Sequence, residues 1–135
     1  MRLAAALVAA LLMQPTGPAV RVLDRGGQSG IEEPRQVVAT TAAEFEALWR
    51  QHSTRPVPAV DFRTESVVGI FLGTRTTAGY GVEILSIERL GSGSVVRCRE
   101  LVPPADAVAA QILTFPYVVV AAPAHVRPVR FECVR

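Results

Sequence analysis

The chain of 135 residues has no lysine and no asparagine, and only two cysteines, two histidines and one tryptophan. Each shortage closes a class of function. All fourteen basic residues are arginine, set among twelve acidic ones without forming a block of either sign. A nucleic-acid groove needs a clustered basic face, so none is expected. The high pI follows in part from an arginine-rich, lysine-free composition of the kind GC-rich coding produces, and it is not read as a docking field. Cys98, Cys133, His52 and His125 match a zinc set by count but lack the close ligand pairs of such sites. No metal and no cofactor is expected. There is no phosphate loop, dinucleotide fingerprint or HExxH run. Gly91-Ser92-Gly93-Ser94 lacks the Gly-x-Ser-x-Gly order of a nucleophile elbow, and no sequence neighbour orients His52 or His125 as a base. An enzyme is therefore not expected, and His52, at a helix C-terminus, reads as structural.

Long apolar runs are also scarce. Leu3 to Met13 is uncharged, follows Arg2, and leads into a segment holding Pro and Gly. This is the layout of a secretory signal peptide. It falls short of the roughly 20 residues that a membrane span needs. Gly17 and Ala19 place cleavage before Val20, and no cysteine precedes Cys98 to accept a lipid. The expectation is an exported bacterial protein, periplasmic or extracellular, with residues 1–19 as signal peptide and no integral membrane span after cleavage. Residues 20–135 then form one domain, with 13 Arg against 12 acidic residues, 13 − 12 = +1. A chain of that size buries a core without metal or several disulfides.

The patterning points to an α+β fold, a mainly antiparallel β-sheet with one packed α-helix. After a short Val20–Leu23 run, Gly26, Gly27, Ser29 and Gly30 mark a loop, which makes this end the most mobile. Gln36–Ala39 starts as a strand. Thr41-Ala42-Ala43-Glu44 is a capping box, and Phe45, Leu48, Trp49 and His52 follow at helical spacing, predicting a helix over about 42–52. Ser66–Leu72 is an almost unbroken apolar run that suits a central strand covered on both faces, one of them by the helix. Tyr80–Leu90 switches the parity of its apolar residues near Ile84, which implies a bulge. Gly91–Ser94 is a hairpin turn into Val95–Leu101. Ala105–Leu113 has no single period. Tyr117–Ala121 and Val129–Val134 are the last strands, and Pro128 puts the final one at an edge or turns its own position outward.

Two segments stand out. Gly73 to Gly81 is a loop dense in Gly and Thr between two strong strands, holding Arg75, Thr77 and Tyr80, and such loops often carry binding function. Gln111 to Tyr117, with Thr114, is a second polar and aromatic cluster at a strand entrance. A turn and a Pro-fixed strand entry are the plainer readings of the two. Cys98 and Cys133 each share a parity with an apolar neighbour, Val96 and Phe131. Export favours a disulfide between them, and two buried thiols are the alternative.

At these segments the chain resembles the PrcB C-terminal domain family, whose founding member is a protease complex subunit. Gly73-Thr74-Arg75-Thr76-Thr77-Ala78-Gly79-Tyr80 followed by Val82-Glu83-Ile84 resembles the family's Gly-x-x-x-Thr-Gly-Gly-Tyr loop and strand. Gln111-Ile112-Leu113-Thr114-Phe115-Pro116-Tyr117 resembles its Gln-x-x-Thr-x-Pro-Tyr segment. Phe45-x-x-Leu48-Trp49, Phe71-Leu72-Gly73 and Pro128-Val129-Arg130-Phe131 extend the resemblance. Ala78 and Val118 depart from it, where Gly and His are usual. The resemblance implies a non-enzymatic exported accessory protein that binds and stabilises a partner protein such as a surface or secreted protease. Arg75, Thr77, Tyr80, Thr114 and Tyr117 are the expected contact residues, because Tyr and Arg give large area and directional donors. A protease inhibitor, or an envelope ligand-binding module that stacks its ligand on Tyr80 and Tyr117, is the alternative.

Overall fold

The computed structural model describes residues 20–124 and 127–135. Residues 1–19, where a signal peptide is expected, and His125 lie outside these. Among the described residues, seven strands and one helix follow the order β1 (Arg21–Gly26), β2 (Pro34–Ala39), α1 (Ala42–His52), β3 (Glu65–Leu72), β4 (Gly81–Leu90), β5 (Gly93–Leu101), β6 (Tyr117–Pro123) and β7 (Val129–Val134). They form a four-stranded sheet ordered β1-β6-β3-β2 and a three-stranded sheet ordered β4-β5-β7. All pairings are antiparallel except that of β5 with β7. The fold is α+β, and it divides its strands between two sheets.

β3 and β6 are central, and every residue of Ser66–Phe71 and Tyr117–Ala122 is buried. Strand alternation sends these residues into two separate cores. Val68, Ile70, Val118 and Val120 meet Val82, Ile87 and Val96 of the smaller sheet. Val67, Phe71, Tyr117 and Val119 face the other way, against Phe45, Leu48 and Trp49 of the helix. The result is three layers: helix, larger sheet, smaller sheet.

The helix spans the residues its periodicity predicts, and Phe45, Leu48, Trp49 and His52 are its buried face. The Thr41 hydroxyl accepts from the Glu44 N–H at 3.2 Å. The reciprocal bond of the capping box is displaced by one residue, since the Glu44 carboxylate accepts from the Thr40 N–H at 3.4 Å. Glu44 also pairs with Arg127 at 2.8 Å, a long-range partner that draws its carboxylate off the cap. Phe45 is 1% exposed, and truncating such a ring to alanine costs about 4 kcal/mol through lost transfer energy and the cavity left behind.

The bulge falls where the parity switches, between Ile84 and Ser86, and it leaves Leu85 half exposed while Val82 and Ile87 are both buried. The hairpin turn is Gly91-Ser92, with Leu90 opposite Gly93. One expectation is revised. The N-terminal end is a strand hydrogen-bonded along β6, because its apolar Leu23 packs on the helix-side core. The last strand is an edge, as Pro128 requires, but it runs parallel to β5. Cys98 and Cys133 are direct partners in that pairing, and they are joined as a disulfide.

Candidate functional site

The loop between β3 and β4 is shaped by two glycines that no other residue replaces easily. Gly73 has φ +79° and Gly79 φ +99°, a region that side chains disfavour. A Cβ at Gly73 would also lie 2.7 Å from Pro34, and one at Gly79 would lie 2.9 Å from Pro103. The loop thus turns tightly against β2 on one side and against the 102–116 connection on the other.

The connection binds it directly. Arg75 N–H donates to the Thr114 carbonyl at 2.8 Å, Thr114 N–H returns to Arg75 at 2.9 Å, and Ala78 N–H donates to Ala110 at 2.9 Å. The Thr114 hydroxyl adds a bond to the Thr77 carbonyl at 2.9 Å. The Arg75 guanidinium spends its donors inward, on Glu100 at 2.8 and 3.1 Å and on the Leu72 and Thr74 carbonyls. It also lies over the Tyr80 ring, 5.6 Å from its centre. Arg75, Thr77, Tyr80 and Thr114 are therefore brought together, and Arg75 and the buried Thr114 brace the loop from within.

What the brace presents is apolar. Val102, Val108, Ile112 and Leu113 of the connection are all exposed, Val108 completely, as is Leu101 at the end of β5. Ile112 and Leu113 are neighbours in the chain, next to the bonded Thr114, and exposed apolar residues that lie together are candidates for an interaction surface. Sequence reading missed them. Their one signal was an apolar stretch with neither a helical nor a strand period.

Tyr117 lies elsewhere. It is 5% exposed and packs 4.2 Å from the His52 ring, centre to centre. Its hydroxyl donates to Asp24 Oδ2 at 3.0 Å, as do His52 Nε2 at 2.8 Å and Arg55 at 2.5 Å. On the other side, His52 Nδ1 and the Ser29 hydroxyl are 2.8 Å apart, and that hydroxyl accepts from the Ile31 N–H at 3.0 Å. With Asp24 ionised, Nε2 carries the proton it donates, and a neutral ring then accepts at Nδ1 from Ser29. Burial would push the Asp24 carboxyl up, but the hydrogen bonds from His52, Arg55 and Tyr117 outweigh it and hold the group below its ordinary value. Burial pushes the Tyr117 hydroxyl up, and the Asp24 charge adds to that.

Asp24, His52 and Ser29 stand in the bonding order of a hydrolase triad, which the sequence did not reveal. However, Ser29 is 5% exposed and His52 3%, so the hydroxyl faces the protein interior. The network ties β1, the α1 C-terminus and β6 together, with Gly30 N–H on the His52 carbonyl at 2.8 Å and Ser29 N–H on Phe115 at 3.0 Å. The two cysteines of the counted zinc set are bonded to each other. Among the described residues, no group of three or more His, Cys, Asp or Glu could hold a metal ion, and no helix is long and apolar enough to cross a membrane.

No curated protein and no solved structure matches the chain. Residues 66–123 match the family model described as PrcB C-terminal, a segment that runs from β3 through β6 and contains the Gly73–Tyr80 loop, its Arg75–Thr114 brace and the exposed apolar connection. The chain is thus similar to the PrcB C-terminal family over residues 66–123, the segment that holds the loop and its brace.

Proposed function

We propose that the chain is a non-enzymatic, exported accessory protein that binds and stabilises a partner protein through the braced loop and the apolar connection beside it, a surface or secreted protease being the partner class the family implies. One observation carries this reading. Ile112 and Leu113 are 53% and 59% exposed on a segment whose next residue is pinned to Arg75 by two main-chain bonds. A rigid apolar surface loses little freedom when a partner covers it, which favours association. The disulfide supports export, because such bridges persist in oxidising compartments. The interior setting of Ser29 supports a structural role for the Asp24–His52–Ser29 network, so a fluorophosphonate probe should leave Ser29 unlabelled. A stacking platform of Tyr80 with Tyr117 gains no support, since Tyr117 is buried on the helix side of the larger sheet.

The test is to incubate the purified protein with secreted proteases of its own cell and follow both activity and survival. An accessory subunit lengthens the half-life of one protease without blocking it. Stoichiometric inhibition would replace the accessory role with that of an inhibitor, and no effect on any protease would remove the protease as partner.

A further inference from the structure

The connection from β5 to β6 has an apex with little to hold it. Pro104, Ala105, Asp106, Ala107 and Val108 are all exposed, Val108 fully, and among the described residues no hydrogen bond reaches the main chain of Ala105, Asp106, Val108 or Ala109. Both sides of the apex are fixed. β5 ends at Leu101 just upstream, and downstream the Ala110 carbonyl accepts from the Ala78 N–H at 2.9 Å before Thr114 meets Arg75. Exposed loop tips of small residues are where proteases nick a folded chain. The unpaired N–H and C=O groups around Val108 are those that a cleft engages when it takes a segment as an extended strand.

The side chains select the class of protease. No arginine or lysine lies between Arg99 and Arg127, and no aromatic residue between Val102 and Leu113, so enzymes with an acidic or a deep aromatic-binding specificity pocket find no site in the apex. Asp106 is inside a turn, since the nitrogen that would leave, Ala107 N, is bonded to the Pro104 carbonyl at 2.9 Å. Small aliphatic residues remain, and they fit the small apolar pocket of an elastase-type serine protease. Val108 is the one that stands clear of the protein. Val57 and Val102 are exposed too, but each is followed by a proline, Pro58 and Pro103, whose ring nitrogen has no hydrogen and a fixed geometry and is a poor leaving group in a protease cleft.

The disulfide spans the apex, with Cys98 upstream of it and Cys133 downstream. A chain opened between Val108 and Ala109 therefore stays one covalent molecule, and β6 keeps its pairings with β1 and β3. We propose that the Val108–Ala109 bond is a processing site for a serine protease with a small apolar specificity pocket, which converts the chain to a two-piece, disulfide-linked form. The protease serine attacks the Val108 carbonyl carbon, the C–N bond breaks, and the Ala109 nitrogen leaves with a proton. Water then releases the acyl group, leaving a carboxylate on Val108 and an ammonium on Ala109. The site stands on the exposure and bonding of residues 104–110 and is independent of any partner at Ile112 and Leu113.

Brief treatment of the folded, oxidised protein with an elastase-type protease tests the bond. The expected result is a first cut that gives two pieces on a reducing gel, a single band without reductant, and a new amino terminus at Ala109. Val108→Asp puts a charge where the pocket needs an apolar side chain, and it should slow the cut by about tenfold or more. Because Val108 is fully exposed, the substitution should leave the unfolding midpoint unchanged. The chain recovered from its own cells should show the same two pieces, again with Ala109 as the new terminus. A first cut at any other bond, or equal cleavage of the Val108→Asp protein, overturns the site. Recovery of the intact chain alone from the cells overturns its use in processing.

Discussion

Arg75 and Thr114 exchange both main-chain hydrogen bonds, at 2.8 and 2.9 Å, so two segments distant in the chain behave as one short ribbon. The Arg75 side chain reinforces it through Glu100, with 23% and 12% of the two side chains exposed. Arg75→Ala should lower stability by about 2 kcal/mol, the scale for losing charge-assisted bonds at a partly buried group. Limited proteolysis should then cut within 73–80 before the rest of the chain. Equal protection in both proteins would show that the main-chain bridge alone holds the loop.

Ile112 and Leu113 contribute little to the folded state because water already reaches them. The double substitution Ile112→Ser with Leu113→Ser should leave the unfolding midpoint within about 0.5 kcal/mol of the original while reducing partner capture. A large loss of stability would place these residues in the fold rather than on a contact surface.

Asp24 links acidity to stability. Its folded carboxyl is held below the ordinary value by His52, Arg55 and Tyr117 against the effect of burial. A lowered folded value contributes stability in full above the unfolded value of about 3.9, and the contribution is lost as pH falls through the folded value. Denaturation in the parent protein should therefore steepen below about pH 4, and Asp24→Asn should remove that part of the slope. At neutral pH, Asp24→Asn should cost about 2 kcal/mol and Tyr117→Phe about 1 kcal/mol. An unchanged acid profile in Asp24→Asn would mean that other carboxylates set it.

Local rules made much of the fold legible. Thr41 and the Phe45, Leu48, Trp49, His52 spacing bounded the helix, and the parity switch at Ile84 located the bulge. The almost unbroken apolar run of β3 marked a central strand covered on both faces. The Tyr117 contact was hidden because Asp24 is 93 positions away, and no local pattern says which strand will lie beside β6. The same holds for Ser29 and His52. The division into two sheets, and the parallel run of β7 beside β5, depend on how strands cross over between layers, which alternation alone leaves open. The Gly73–Tyr80 loop could be singled out by composition, but the direction of the Arg75 side chain was settled by Glu100, a residue on another strand.

Cys98 and Cys133 close a separation of 35 residues between β5 and the edge strand β7. Removing that constraint on the unfolded chain, by Cys98→Ala with Cys133→Ala, should cost about 4 kcal/mol. Chemical denaturation of the double variant beside the reduced parent measures it, and matching losses would assign the effect to the bond itself. No loss in either would mean that the neighbouring strands hold β7 without it.

Site-specific photo-crosslinking in the cell envelope addresses partner binding at the apolar connection most directly. A photoreactive residue at Leu113 is compared with one at Val22, which is similarly exposed, at 54% against 59%, but lies on β1. The prediction is one discrete protein adduct from Leu113 and none from Val22. Capture of wall polymer alone at Leu113, or the same adducts from both positions, would contradict it.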